Sequence, residues 1–365
     1  MNEALITIII ATYNRPDALK VCLNSVVLQI FKDWKIIVIG DNCDDRTEKV
    51  VLSINDTRIE YINLPERFGE QSGPNSIGIA LADTKYLAFL NHDDIWLQNH
   101  LEYGINILEN SDCDFFIGGT AYSRYLEYLD NEVVIHVDEI NTSSRNIVDF
   151  IKLGSTKFEP ASSWIINTNK AKQIGFWSYY EEIYRPPIAD YILRAWRENS
   201  KFYFSKEVTV WAVVTHYRNS VSRAYNYQSI EHELIQHILN SNTFEEIRNS
   251  LEAKLLDWNC MPRVNKNNIL NEYDKKIPRK NIRYFIQWPI QQLCFNIITA
   301  YLYKVTGKDI YSLIAKFKHH EKGFVLYRLI KFRTGDAPLT KPNIENILKQ
   351  LDTRPSKKKL FNNLR

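Results

Sequence analysis

The 365-residue sequence is short of features that mark several classes of protein. Its five cysteines, Cys22, Cys43, Cys113, Cys260 and Cys294, are scattered without paired spacing, which argues against a disulfide framework and against a cysteine-based zinc site. No apolar run is long enough to span a bilayer. The most apolar piece, 285–303, is interrupted by Gln287, Pro289, Gln291, Gln292 and Asn296. Met1-Asn2-Glu3-Ala4 lacks a basic region, and the apolar run at 5–11 is too short for the layout of a signal peptide, so the expectation is a cytoplasmic chain. Thr12-Tyr13-Asn14-Arg15, which follows that run, contains no glycine, and a glycine-rich phosphate loop after the first strand is thereby excluded. Basic charge is present without any nucleic-acid-binding motif, so no nucleic-acid partner is expected.

What is present begins with charge. The net charge of +3 conceals a division: residues 261–365 carry +15 and residues 1–260 carry −12. A basic C-terminal third suits an anionic membrane surface, an oligomer contact or a solvated helical face. The first half alternates short apolar, β-branched runs with helical periodicity. Apolar runs at 5–11, 35–39, 59–63, 85–90 and 115–117 read as strands buried on both faces. Helices are predicted from Pro16, where proline suits the first helical position, and at 47–52, 74–82 and 97–109. This order implies an α/β fold, a mostly parallel sheet with helices on both faces. After Gly118 the rhythm changes to a hairpin at 119–137, a short helix at 147–153, a strand at 164–166, a helix at 170–174, a helix begun by Asp190, and strands at 201–204 and 208–214. Beyond 225 the pattern is helical. The expected domains are 1–225 and a basic, mainly helical region 226–365.

One stretch stands out. Tyr86-Leu87-Ala88-Phe89-Leu90 runs straight into Asn91-His92-Asp93-Asp94. A buried parallel strand delivers these residues to its C-terminal edge, where open α/β sheets bind ligands. Adjacent carboxylates repel unless a cation or a proton intervenes. A hard divalent ion that also holds phosphate oxygens resolves the conflict; capping of the next helix by Asp93 and Asp94 is the plainer alternative.

With three motifs in order, Ile8-Ile9-Ile10-Ala11-Thr12-Tyr13-Asn14-Arg15, Val38-Ile39-Gly40-Asp41-Asn42-Cys43-Asp44-Asp45-Arg46-Thr47 and Phe89-Leu90-Asn91-His92-Asp93-Asp94-Ile95-Trp96-Leu97, the sequence resembles the family 2 glycosyltransferases of the GT-A fold. The resemblance fades towards Tyr225 and does not extend to 226–365. It implies a Rossmann-like GT-A sheet, a nucleotide-sugar donor with UDP favoured by family frequency, and a glycan or lipid-linked acceptor in cell-surface polysaccharide synthesis. It also implies an inverting transfer assisted by Mn²⁺ or Mg²⁺.

Residue by residue, the resemblance places Thr12, Tyr13, Asn14, Arg15, Asp41, Asn91, His92 and Arg218 at the donor. Asp93 and His216 become metal ligands, Asp94 supports them, and Asp190 becomes the base that takes the acceptor's proton. Asp41 also reads as a turn residue, and Asp190 as a helix N-cap. Trp164 and Trp177 are candidates for stacking on sugar rings, with core packing the alternative. Three departures from the family pattern are visible, one of them Asn75-Ser76 where many relatives carry Arg-Asn, which bears on the donor contacts. Asn91 stands where the Asp-x-Asp motif has its first carboxylate, so Asn91→Asp is expected to leave activity intact or to tighten metal binding. Ala189 precedes Asp190 where the family usually has Glu. Asn91 and Ala189 favour, as competing readings, a non-catalytic glycan-binding or scaffolding relative; a nucleotidyltransferase is disfavoured by the missing glycines.

Overall fold

The structure is a computed structural model that describes residues 4–129, 132–141, 147, 160–183, 186–213, 297–298, 300–308 and 342–352. The chain opens as β1 (Ile6–Thr12), α1 (Pro16–Val27), β2 (Trp34–Gly40), α2 (Asp45–Ser53), β3 (Ile59–Asn63), α3 (Ser72–Leu81) and β4 (Tyr86–Phe89). It continues through β5 (Asp94–Trp96), α4 (His100–Glu109), β6 (Phe115–Leu129), β7 (Glu132–Asn141), β8 (Trp164–Asn167), α5 (Thr168–Ile174), α6 (Pro187–Arg197) and β9 (Phe202–Val213). A last described helix, α7, spans Ile344–Asp352.

The nine strands among the described residues form one sheet in the order β3-β2-β1-β4-β8-β6-β9-β5, with β7 paired to β6. Strands β3, β2, β1 and β4 are mutually parallel; β8 runs antiparallel between β4 and β6, and β6 pairs parallel with β9. This is the α/β architecture expected of the GT-A fold. The apolar runs are continuous because both faces are covered. On β1, Ile6, Ile8 and Ile10 pack with Leu19, Cys22 and Leu23 of α1. Ile9 points the other way, into a second core with Ile77 and Ile79 of α3 and Tyr191 and Ile192 of α6. Alternation of side chains along a strand puts successive isoleucines into separate cores, and the buried polar residue among them, Thr7, pairs its hydroxyl with that of Thr84 at 2.7 Å.

Where the structure departs from the sequence reading, it does so at residues held by distant partners. The predicted helix at 97–109 is preceded by a three-residue strand, β5, antiparallel to β9 through Asp94↔Ala212 and Trp96↔Val210. Buried Gln29, just beyond the end of α1, fixes it: Nε2 donates to the Leu97 carbonyl and Oε1 accepts the Leu101 N–H. The two strands predicted at 201–204 and 208–214 are one, β9, whose pairing with β6 slips between Ile117 and Gly119. The helix predicted to begin at Asp190 begins at Pro187, with Pro186 in the capping position, so Asp190 is not an N-cap. Trp164 and Trp177 are 0% and 3% exposed and stack on each other and on Tyr191, with ring centroids 6.0, 6.2 and 5.2 Å apart. They fill the core and are closed to a sugar. Of the region 226–365 the structure describes 297–298, 300–308 and 342–352; the helix predicted at 147–153 lies, but for Ile147, outside the described residues, as do the helices predicted at 230–239 and 244–256.

Candidate active site

Parallel pairing sets the C-terminal ends of β1, β2 and β4 side by side: Thr12 lies opposite Gly40 and Ile9 opposite Phe89. The three loops that leave these strands therefore share one edge, and they carry Tyr13-Asn14-Arg15, Asp41 and Asn91-His92-Asp93. The sequence-predicted residues 12–15, 41 and 91–94 are brought together.

Arg15 and Asp93 face each other across the first and third of these loops, with Nη1 2.9 Å from Oδ2 and both side chains partly buried. Nη1 also lies 3.5 Å from His92 Nε2. His92 Nδ1 sits 3.2 Å from the Ala11 carbonyl, which can only accept, so that nitrogen carries the proton and Nε2 presents its lone pair to Arg15. Asp94 points elsewhere. It is 6% exposed, and its Oδ2 accepts from Ser162 Oγ and from the Asn91 amide at 2.8 Å. Ser162 in turn accepts the Asn91 backbone N–H at 3.0 Å, and its carbonyl accepts Trp96 Nε1. A buried carboxylate costs several kcal/mol unless hydrogen bonds replace its water, and Ser162 and Asn91 supply them. Ser162 was not singled out from the sequence; it lies 71 positions beyond Asn91 with no local signal.

The donor set bears on which cation the site can take. Among the described residues no three His, Cys, Asp or Glu side chains converge as a metal cage. With Asn91 and Asp94 bonded to each other, Asp93 is the carboxylate of this stretch turned towards the loop of β1. One carboxylate plus phosphate oxygens is how Mg²⁺ is commonly held, so these residues fit an ion that arrives with a diphosphate rather than one caged by protein alone. His216 and Arg218 lie outside the described residues.

Asp41 is 4% exposed and accepts the Phe68 and Gly69 N–H groups at 2.7 and 2.8 Å, one on each oxygen. Burial raises its carboxyl to about 6 against the pull of those two bonds. It thus clamps the loop of residues 64–71 over the edge of the sheet. Arg67 of that loop lays its guanidinium 3.8 Å from the centre of the Tyr13 ring. Glu70 completes the loop; its Oε2 accepts the Ser72 N–H at 3.0 Å while its Oε1 is buried without a partner. Burial and the neighbouring Asp41 push the Glu70 carboxyl up to about 8. Neither Arg67 nor Glu70 was found from the sequence, because their roles depend on where this loop folds back. Asn14, at φ 45°, uses its side chain to accept the Asp44 N–H at 2.8 Å, which ties the β1 loop to the start of α2.

Asp190 lies in the first turn of α6. Its Oδ2 accepts from Ser178 Oγ at 2.7 Å and from Arg194 Nε at 2.8 Å, and Arg194 also donates to the Ile174 and Phe176 carbonyls. Trp177, beside Ser178, donates its backbone N–H to Ser76 of α3. Asp190 shares no hydrogen bond with Arg15, Asp93 or Asp94. Burial and the Asp190 carboxylate raise the phenol of Tyr303.

Residues 7–175 match the family model described as Glycosyl transferase family 2, which takes in every predicted residue of the sheet edge and stops short of Asp190. The chain is 30% identical over 118 residues to the UDP-Glc:alpha-D-GlcNAc-diphosphoundecaprenol beta-1,3-glucosyltransferase WfgD of Escherichia coli, covering 32% of this chain and 46% of that protein. It is 37% identical over 108 residues to an uncharacterized glycosyltransferase of Rickettsia prowazekii (strain Madrid E), covering 30% of this chain and 33% of the other. The chain thus spans less than half the length of these curated relatives. Among solved structures it resembles S. aureus TarS 1-349 in complex with UDP-GlcNAc, at 15% identity and TM-score 0.44, over 82% of this chain and 81% of that one. It also resembles the mannosyltransferase PcManGT from Pyrobaculum calidifontis in complex with GDP-Man and Mn²⁺, at 10% identity and TM-score 0.44, over 84% and 89%. These overlaps are too loose to carry a residue from one site to another.

Proposed function

The chain carries a glycosyltransferase domain of family 2 over residues 7–175, and from that premise we propose that it transfers a sugar, with inversion, from a nucleoside-diphosphate sugar to an acceptor hydroxyl. UDP is the favoured nucleotide and a glycan or lipid-linked sugar the favoured acceptor, as in the name of the Escherichia coli relative. The observation that carries this reading is the Arg15–Asp93 pair at the shared edge of β1 and β4. A cation and a carboxylate side by side suit a diphosphate that brings its own divalent ion, Mn²⁺ or Mg²⁺. When bound, that ion neutralises charge developing on the leaving diphosphate.

The chain's own residues supply the rest. Tyr13, with the Arg67 guanidinium over its ring, borders the base, and Asp41 holds the 64–71 loop that carries Arg67. Asp190 is the proposed base: Ser178 and Arg194 both occupy Oδ2 and fix the carboxyl, leaving Oδ1 to take the acceptor proton. His216 and Arg218 are kept as a proposed metal ligand and a proposed phosphate contact. The place of action is proposed to be the cytoplasmic face of a membrane, reached through the basic residues 261–365; among the described residues no helix is long and apolar enough to cross one.

The test is donor consumption, with and without Mn²⁺, across a panel of nucleotide sugars and acceptor extracts. Asp93→Asn is expected to abolish metal-dependent turnover, and Asp190→Asn to slow transfer about 10²–10⁴-fold while UDP still binds. If no donor is consumed although UDP binds, the non-catalytic glycan-binding reading replaces this one.

A further inference from the structure

We propose that Arg15 is a displaceable counter-ion that makes cation binding at Asp93 depend on the donor's diphosphate. The inference rests on the reading of this edge as a donor-diphosphate site. Arg15 is held in place from two sides, by Asp93 Oδ2 at 2.9 Å and by the lone pair of His92 Nε2 at 3.5 Å. The His92 ring is itself fixed through Nδ1 on the Ala11 carbonyl, so it is a positioning residue for the guanidinium. Asp93 is only 13% exposed in this pair.

A divalent ion that reaches Asp93 without a substrate therefore meets a carboxylate already neutralised. To bind it must part a shielded ion pair and leave the guanidinium with the neutral His92 nitrogen, at 3.5 Å, in place of a carboxylate. Among the described residues, the neighbouring Asn91 and Ser162 are both committed to Asp94. Arrival of the ion together with a diphosphate removes both deficits. Phosphate oxygens fill the ion's remaining oxygen positions, and they also accept the freed guanidinium, whose planar fork matches two such oxygens. The exchange makes and breaks no covalent bond: the Arg15–Asp93 pair is traded for a carboxylate–ion contact and a guanidinium–phosphate contact. The consequence is coupling between ion and nucleotide, equal in both directions. An ordinary surface ion pair would produce no such coupling.

The experiment measures Mn²⁺ uptake by the loss of the free ion's electron paramagnetic resonance signal, on the full chain, with and without UDP. In the wild type UDP should tighten Mn²⁺ binding at least about tenfold. Arg15→Gln should bind Mn²⁺ without UDP about tenfold more tightly than the wild type does, and gain less from UDP. Arg15→Lys, which keeps a cation beside Asp93, should stay near the wild type. The inference is overturned if Arg15→Gln binds Mn²⁺ alone no better than the wild type, or if Arg15→Lys tightens it equally. Should the wild type take up Mn²⁺ with UDP and Asp93→Asn lose it while Arg15→Gln changes nothing, only this inference falls. If no form takes up Mn²⁺ with UDP, the donor-site reading falls and takes the inference with it.

Discussion

Asn91 sits between the residue proposed to meet a cation and a carboxylate that is already spent. Its amide donates to Asp94 Oδ2 at 2.8 Å, so the change to aspartate that seemed harmless in the sequence puts two carboxylates in contact. The expectation that Asn91→Asp leaves the site intact is therefore revised. The variant is predicted to be less stable by about 1–3 kcal/mol at pH 8, from the lost bond and the like-charge contact. The deficit should shrink at pH 5, where one carboxyl of the pair keeps a proton, and on addition of Mn²⁺. Thermal denaturation at the two pH values checks this; an unchanged midpoint at pH 8 refutes it. The sequence marks Asn91 as unusual, but the direction its amide takes depends on Ser162, 71 positions later. Asp93 was legible because strand and motif place it at the sheet edge. Its partner Arg15 was legible only as a loop residue, since their pairing spans 78 positions.

Among the elements, the parallel strands and their helices were the most readable, because continuous apolar runs and helical periodicity are local signals. Strand β5 was not, since three residues acquire their extended form from β9 and from Gln29, both remote. The loop at 64–71 is a similar case, and its chemistry is pH-dependent. Phe68 packs so closely over Gly73 that a Cβ there would lie 2.2 Å from the ring, while Tyr179 donates its hydroxyl to the Phe68 carbonyl at 3.2 Å. Next to this anchor Glu70 has its carboxyl raised from 4.5 to about 8, facing Asp41 and the phenols of Tyr179 and Tyr180. The folded chain thus binds more protons at Glu70 than the unfolded chain does between these two values. Stability from this group is full below pH 4.5 and is lost as pH rises through 8. Glu70→Gln is predicted to match the wild type at pH 5 and to exceed it by about 2 kcal/mol at pH 9, where the wild-type carboxylate is buried and charged. Urea unfolding at both pH values decides; equal stability at pH 9 would show that this carboxyl is hydrated in the folded chain.

On the scale of the whole molecule, the division of charge meets the division of the chain. The described parts of the basic third pack on α3 and α6: Ile344, Ile347 and Leu348 of α7 join the core beside α3, and Ala300 packs with Leu193 and Trp196 of α6. Around that second contact Lys304 sits 4.6 Å above the Trp196 ring and Arg197 5.7 Å above Tyr303. Two contacts on helices flanking the same core fix these pieces against residues 1–260, which carry −12 in all, while residues 261–365 carry +15. That charge is enough to matter at an anionic surface, where each well-placed basic side chain contributes about 1 kcal/mol within a Debye length of about 8–10 Å. A lipid-linked acceptor would then be met by a protein already held at its membrane, with the Asp190 helix next to the basic region. The prediction is that the full chain floats with vesicles containing anionic lipid at low salt, is released at high salt, and ignores neutral vesicles. Replacing Lys357, Lys358 and Lys359 with glutamine should lower the fraction bound without changing UDP affinity, because those residues lie outside the donor edge in sequence and in charge. Protein that stays in solution with anionic vesicles at low salt would leave the +15 to local packing and self-association alone.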